Sequence, residues 1–126
     1  AGEGSKVMGL RADMDALPIQ ETSSHDYISK NTGVMHACGH DGHMAMLLGA
    51  AHKLSTNANF GGTIVFIFQP NEELGLGAKA MMEEGLLKNF PMQEIYGIHN
   101  LPGVPTGELL TRSGIICSSI LYIIIV

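Results

Sequence analysis

The sequence predicts an α/β fold in which a mostly parallel sheet is flanked by helices. Apolar, β-branched runs typical of strands alternate along the chain with segments whose apolar residues recur every three or four positions. The run Thr63–Phe68 consists of β-branched and aromatic residues, as expected of a strand buried on both faces of a parallel sheet. Alternating elements of these two kinds are typical of helices packed on the faces of such a sheet.

The first half of the chain is predicted to form a strand, a long loop and a helix. Lys6–Met14 is a short strand that runs into a polar turn, and the polar segment Asp15–Gly33 is mostly loop. An amphipathic helix follows from Gly42, with Asp41 as its expected N-cap. Its apolar stripe consists of Met44, Leu47, Leu48, Ala51 and Leu54.

The second half continues the alternation of strand and helix. After the strand Thr63–Phe68, a second helix is predicted, with Gly85 near its end. One side of that helix carries Ala78, Met81, Met82 and Leu86. Glu94–Asn100 is predicted as a strand that ends in polar residues, and Leu101–Gly107 as a loop. Residues 108–126 are expected to add one or two strands.

Composition narrows the possible partners and the compartment. The 126 residues suffice for one domain with a modest core, and the net charge of −5 comes without a basic patch, so no nucleic-acid partner is expected. The apolar run 115–126 is shorter than the roughly 20 residues of a membrane span, so no membrane partner is expected either. Two cysteines do not make a disulfide framework, and reduced thiols predict a cytoplasmic protein.

Potential metal ligands are concentrated in one stretch, MHACGHDGH. Within eight residues it holds His36, Cys38, His40, Asp41 and His43. Thiolate, imidazole and carboxylate groups bind divalent transition metals, with zinc as the default ion. Cys38 and His40 are two residues apart, so they share a side in an extended loop but not on a helix. The glycines between and after them allow a tight turn beside an ion.

Further polar side chains follow three of the predicted strands. The carboxyl ends of strands form the ligand-binding edge of open α/β sheets, so these residues are expected to converge there. They are Asp13 and Asp15, Glu72 and Glu73, and His99. One carboxylate of the Glu72–Glu73 pair is expected to bind metal while its neighbour takes a proton from bound water. The pair Glu83–Glu84 lies within a predicted helix and is interpreted as solvated, and His25 and His52 as structural.

Four ordered blocks resemble the M20 metallopeptidase family, in its aminoacylase-like amidohydrolase branch of hippurate hydrolases, auxin-conjugate hydrolases and N-acetyl-diaminopimelate deacetylases. The blocks are RADMDALP, MHACGHDGHMAMLLGAA, FQPNEE with GAKAMMEEG, and GIHNLPGVPTG, from about Lys6 to Gly114. The resemblance implies a site for two divalent ions, zinc or manganese, with cobalt or nickel possible. It makes Cys38 the bridging thiolate and His40, Glu73 and His99 further ligands. Glu72 would be the general base, and Asp15 would orient a ligand.

The implied reaction is hydrolysis of a small-molecule N-acyl amino acid by metal-activated water. Residues 1–114 would be part of a zinc-exopeptidase-like catalytic domain, and residues 115–126 the start of an inserted dimerisation or lid domain. The chain is therefore expected to be a fragment of a longer, homo-oligomeric protein. The part of that protein outside this chain would supply one further ligand histidine. Asn71 departs from the alanine that is usual in the third block.

Three other interpretations stay open at this stage. The chain could be a non-catalytic metal-binding fragment that lacks the last ligand and the lid. It could instead be a cysteine hydrolase with Cys38 as nucleophile and a nearby histidine as base. A structural Cys/His zinc site is the third, although it would not need Glu72 beside Glu73.

Overall fold

The computed structural model describes residues 4–111 and 113–114, in which strands and helices alternate. In chain order the elements are β1 (Val7–Asp13), α1 (His40–Thr56), β2 (Thr63–Gln69), α2 (Gly77–Glu83), α3 (Leu86–Asn89) and β3 (Glu94–Gly97). The three strands form one parallel sheet in the order β2-β1-β3. The predicted α/β class with a parallel sheet is confirmed.

Strand β1 lies at the centre of the sheet and pairs with both neighbours. Asp13 at its end is in register with Gln69 of β2, and Arg11 is in register with Gly97 of β3. Since all three strands run in the same direction, their carboxyl ends lie at one edge of the sheet. The loops that leave this edge carry the polar residues that the sequence places after each strand.

The core forms where α1 packs against β1 and β2. Its buried apolar side chains are Ala12, Leu47 and Ile67. Burial of such side chains stabilises the fold by roughly 1.5–3 kcal/mol for each large one. The predicted apolar stripe of α1 is correct for Leu47 but not for Leu48, which is 58% exposed.

Left-handed glycines set two helix boundaries that differ from the predicted ones. Helix α1 begins at His40 with Gly39 as its N-cap at φ 84°, so the prediction of Asp41 as N-cap is wrong, and Asp41 lies in the first turn. The predicted second helix is two helices, because Gly85 between them adopts φ 96°. A residue in this conformation ends an α-helix, and glycine adopts it without a Cβ penalty.

The remaining segments are mostly loops. The long connection after β1 is closed by an antiparallel bridge between Leu17 and Met35. Strand β3 ends at Gly97, three residues earlier than predicted, so His99 and Asn100 lie in the following loop. Residues 108–111 and 113–114 form no strand, and the strand predicted within 115–126 lies outside the described residues. Within the described residues, no helix is long and apolar enough to cross a lipid bilayer.

Candidate metal centre

The carboxyl edge of the sheet collects the polar residues predicted to converge. Asp13 ends β1 and Asp15 follows it, Glu72 and Glu73 follow β2, and His99 follows β3. The amino end of α1 adds Cys38 and His40 to the same place, since α1 packs beside β1 and β2. Every residue for which a site role is predicted lies at this edge.

Three of the four predicted metal ligands lie around the fourth, Cys38. One potential ligand atom from each of Cys38, His40 and Glu73 lies within 4.8 Å of the others. The Nε2 atom of His40 is 3.7 Å from Oε1 of Glu73. The Sγ atom of Cys38 is 3.6 Å from Nε2 of His99. Cys38 therefore lies close to donors from the loops after both outer strands.

Asp15 holds two of these ligands in place. Its main-chain carbonyl accepts the Nδ1–H of His40 at 2.9 Å, which leaves Nε2 of His40 as the unprotonated nitrogen. Its carboxylate accepts the main-chain N–H of Glu73 at 3.1 Å. Burial acts to raise the pKa of Asp15, but hydrogen bonds from the main-chain N–H groups of Glu73 and Glu72 outweigh it and lower that pKa.

The donor atoms fit a bound divalent cation. Nε2 of His40 and Oε1 of Glu73 are buried and have no hydrogen-bond partner among the described residues. Buried polar atoms normally have a partner, so two such atoms facing each other indicate a ligand-binding role. Tetrahedral zinc with its usual bond lengths places sulfur and nitrogen ligands about 3.6 Å apart. The separation of 3.6 Å between Cys38 and His99 matches that value.

Glu72 lies beside this donor set but differs from Glu73 in its environment. It is only 2% exposed, and its Oε2 atom lies 3.7 Å from Nε2 of His40. Burial raises the pKa of Glu72 above its usual value, and the negative charges of Asp13 and Glu73 raise it further. The positive charge of Arg11 acts in the opposite direction but does not outweigh them. A carboxyl group with a raised pKa accepts and releases a proton nearer to neutral pH.

Asn71 shapes the turn that presents the two glutamates. It adopts φ 50°, and among the described residues it is the sole non-glycine with a positive φ. Its main-chain carbonyl accepts the N–H groups of Leu76 and Gly77, which tie the turn to the start of α2. Asparagine tolerates the left-handed conformation better than alanine does. The departure from the family pattern at this position is therefore compatible with the turn.

Cys38 is a thiol in the absence of a cation. Burial, followed by the nearby charges of Glu73, Glu72 and Asp13, raises the pKa of the Cys38 thiol to about 11. A nucleophilic cysteine instead requires a lowered pKa and an electropositive surrounding. The environment of Cys38 is suited to a thiolate neutralised by a metal, and it disfavours the cysteine-hydrolase interpretation.

The structure adds Asn100 to the site and gives specific contacts to Asp13 and His43. The sequence placed Asp13 at this edge and His43 among the potential ligands without assigning either a role. Potential ligand atoms of Asp13, His40, His43 and His99 lie within 4.8 Å of one another. However, Nδ1 of His43 lies 2.6 Å from Oδ1 of Asp13, and its Nε2 lies 3.0 Å from the main-chain nitrogen of Asn100. Both ring nitrogens of His43 are engaged with protein atoms. A sequence signal existed, since His43 is three residues after His40 and shares its side of α1.

Asp13 is fixed by charge as well as by this histidine. It is fully buried, and Nη1 of Arg11 lies 2.8 Å from its Oδ2 atom. Burial acts to raise the pKa of Asp13, but the hydrogen bond from His43 and the charge of Arg11 together lower it below its usual value. Asp13 is therefore an ionised carboxylate at neutral pH.

The residues interpreted as structural or solvated lie in ordinary surroundings. His25 stacks on Tyr27 in an exposed part of the long loop, with ring centroids 5.0 Å apart. His52 is exposed on α1. Glu83 is exposed and lies 3.8 Å from Lys79, one turn earlier on α2, as expected of a solvated pair.

Comparison with known proteins identifies similar chains. Residues 9–114 match the model of peptidase family M20/M25/M40. An IAA-amino acid hydrolase of Arabidopsis thaliana (ILR1-like 2) is 54% identical over 108 residues, covering 85% of this chain and 24% of that protein. The hippurate hydrolase of Campylobacter jejuni is 48% identical over 118 residues, covering 94% of this chain and 30% of that protein.

A solved structure gives the same result for the fold. The YxeP protein of Bacillus subtilis is described as a dinuclear metal binding peptidase from the M20 family. It superposes with a TM-score of 0.76 at 46% sequence identity, covering 82% of this chain and 28% of that chain. The chain thus spans less than one third of the length of each of these three relatives.

Proposed function

The chain belongs to peptidase family M20/M25/M40, and on that premise we propose that it carries the metal centre of an amidohydrolase that cleaves N-acyl amino acids. The observation that carries the proposal is the convergence of Cys38, His40 and Glu73. Nε2 of His40 and Oε1 of Glu73 are buried there without a hydrogen-bond partner among the described residues. The adjacent buried carboxyl group of Glu72 supplies the acid–base group that hydrolysis needs.

The proposed ligand set divides into two groups that share Cys38. His40 and Glu73 form one group with the thiol, and His99 approaches the same thiol from the loop after β3. Two divalent ions bound here would polarise the scissile carbonyl and lower the pKa of bound water toward about 7. The ion is proposed to be zinc or manganese, since mixed thiolate, imidazole and carboxylate ligands suit both, and cobalt and nickel also fit.

Glu72 is proposed as the general base and later as the general acid. Its carboxylate would take the proton from the attacking water and deliver it to the leaving amine. The raised pKa of Glu72 supports this role, because it brings proton transfer closer to neutral pH. Asp15 is proposed as the positioning residue of this half of the site, since it fixes His40 and Glu73.

The substrate class is proposed from the relatives together with the site. The names of the two hydrolases specify hydrolysis of IAA-amino acids and of hippurate. Each of these substrates is a small molecule that joins an acyl group to an amino acid through an amide. We accordingly propose an N-acyl amino acid as the substrate, and a reducing compartment such as the cytoplasm, where the thiol of Cys38 stays available.

Two alternatives account for fewer of the described contacts. A cysteine hydrolase leaves Glu72 and Glu73 without a role and places its nucleophile among carboxylates that raise its pKa. A structural zinc site explains the donor set around Cys38, but it does not explain why the carboxyl group of Glu72 is buried beside that set. A non-catalytic metal-binding chain shares the ligand set and differs only in turnover, so the experiment below separates it.

The test measures metal content first and hydrolysis second. The reduced chain should hold up to about two equivalents of zinc, as expected of a two-metal site, and Cys38→Ser should lose most of it. With metal bound, Glu72→Gln should reduce hydrolysis of N-benzoylglycine by about 10²–10⁴-fold without loss of metal. The matched control is Glu83→Gln on the exposed face of α2.

Each outcome decides one part of the proposal. A folded chain that binds no zinc, or a Cys38→Ser variant that binds as much as wild type, overturns the metal centre. Metal binding without hydrolysis by the wild-type chain would identify it as the non-catalytic alternative. Unchanged hydrolysis by Glu72→Gln would remove Glu72 from the mechanism.

A further inference from the structure

The ring of His43 links the end of β1 to the loop after β3, through one nitrogen each. Nδ1 lies 2.6 Å from Oδ1 of Asp13, and the main-chain N–H of Asn100 donates to Nε2 at 3.0 Å. The carboxylate of Asp13 can only accept, so Nδ1 carries a proton and donates it to Asp13. Nε2 accepts the main-chain N–H of Asn100, whose side-chain Oδ1 also lies 2.9 Å from Nε2. His43 is 3% exposed, so water does not compete for these bonds.

Asp13 fixes one side of this link. The carboxylate is fully buried at the end of the central strand and is held by Nη1 of Arg11 at 2.8 Å. Arg11 is itself anchored, because its Nε–H donates to Oε1 of Gln69 at 2.9 Å. The imidazole of His43 therefore takes its orientation from β1 and β2.

Asn100 passes that orientation to the neighbouring histidine. Its main-chain carbonyl lies 2.7 Å from Nδ1 of His99, and a carbonyl can only accept. The proton of His99 is therefore on Nδ1, and Nε2 presents its lone pair 3.6 Å from Sγ of Cys38. The main chain of Asn100 thus contacts His43 through its N–H and His99 through its carbonyl, which belongs to the following peptide unit.

We propose that His43 is a positioning residue that sets the tautomer and direction of His99 as a metal donor, acting through the main chain of Asn100. The inference rests on the proposed function, because it assumes that Nε2 of His99 binds one of the two ions. Groups that orient a metal ligand typically change metal affinity by about 10–100-fold when they are removed. Loss of this link should weaken the ion on the His99 side and spare the ion held by His40 and Glu73.

Two substitutions separate the hydrogen bond of His43 to Asp13 from its hydrogen bond to Asn100. An asparagine amide lies as many bonds from Cβ as Nδ1 does, so His43→Asn keeps a donor for Asp13 and loses the acceptor for Asn100. A glutamine amide lies as many bonds away as Nε2, so His43→Gln keeps the acceptor for Asn100 and loses the donor for Asp13. His52→Ala, on the exposed side of the same helix, is the control for the loss of a histidine.

The first readout uses the metal-free chain. Nitrogen-15 NMR at about pH 8 reports which ring nitrogen of each histidine carries the proton. We expect His99 to carry it on Nδ1 in wild type, His43→Gln and His52→Ala, and to populate both tautomers in His43→Asn. A wild-type chain with the proton of His99 on Nε2 overturns the inference without any variant.

The second readout is a zinc titration against a chromophoric chelator. His43→Asn should weaken one of the two zinc equivalents by about 10–100-fold, while His43→Gln and His52→Ala should bind as wild type does. Equal losses in His43→Asn and His43→Gln, or no loss in either, would overturn the positioning role. A wild-type chain with the expected tautomer but no zinc affinity would contradict the proposed function while leaving the link from His43 to His99 intact.

Discussion

His40 donates its Nδ1–H to the main-chain carbonyl of Asp15 at 2.9 Å, while the carboxylate of the same Asp15 accepts the N–H of Glu73 at 3.1 Å. One residue therefore orients two proposed ligands of one ion by two chemically different groups. The carbonyl survives any substitution of Asp15, whereas the carboxylate does not. A substitution of Asp15 therefore measures what the hydrogen bond from the N–H of Glu73 contributes to metal affinity, separately from the hydrogen bond of His40.

Substitution of Asp15 should weaken metal binding without abolishing it. Asp15→Ala removes the acceptor for the N–H of Glu73 but keeps the carbonyl that fixes His40, so zinc affinity should fall by about 10–100-fold. Asp15→Asn keeps an acceptor oxygen and should lose less. Competition with a chelator measures both, with Asp26→Ala in the exposed loop as control. A complete loss of zinc in Asp15→Ala would show that the carboxylate does more than hold Glu73.

The stability of the metal-free chain should depend on pH through Glu72. Folding raises the pKa of Glu72, so its stabilising contribution is present at acid pH and is lost as the pH rises through the folded-state value. Glu72→Gln removes the buried charge, so the variant should melt at a higher temperature than wild type at pH 8, with a smaller difference at pH 4. Thermal unfolding followed by circular dichroism checks this. A variant less stable than wild type at pH 8 would contradict it.

The thiol of Cys38 should react slowly while the chain is free of metal. A pKa of about 11, against an ordinary value of 9.0, leaves about one hundredth of the usual thiolate fraction at pH 8. Iodoacetamide should therefore alkylate Cys38 about a hundredfold more slowly than a free cysteine, measured in a Cys117→Ser background. Glu73→Gln should speed the reaction by removing a nearby negative charge. Equal rates for Cys38 and free cysteine would mean that the carboxylates do not act on this thiol.

Gly39 should tolerate no side chain, whereas Gly42 should tolerate one. Gly39 adopts φ 84°, and a Cβ there would overlap the side-chain oxygen of Asn100. Gly39→Ala should cost about 1–3 kcal/mol of unfolding free energy from the strained conformation alone. A Cβ at Gly42 meets no atom within 4 Å, so Gly42→Ala in the first turn of α1 should be neutral or stabilising by up to about 1 kcal/mol. Urea unfolding of the two variants measures the contrast.

The sequence predicts the parallel sheet and the convergence of polar residues because both follow from local patterns. A buried strand that ends in QPNEE must direct Glu72 and Glu73 to the carboxyl edge, whatever the order of the strands. The helix start was predicted wrongly at Asp41, because a left-handed glycine two residues earlier ends the loop without a side-chain cap.

The link from Asp13 through His43 to Asn100 could not be predicted from local sequence patterns. It requires β3 to lie beside β1 rather than beside β2, and strand order is not written in any local pattern. It also requires the side of α1 that carries His43 to face the end of β1. Asn100 gives no sign of its role in the sequence, because it acts mainly through its main chain.

The order of the elements along the chain determines the order in which the donors of the site are synthesised. The chain emerges from the ribosome with β1, α1 and β2 first, so Cys38, His40 and Glu73 can assemble while β3 is still unmade. The main-chain N–H of Val7 at the start of β1 bonds the side chain of Gln93, 86 residues later, just before β3 begins. His99 therefore joins last, after the three other proposed ligands have been synthesised.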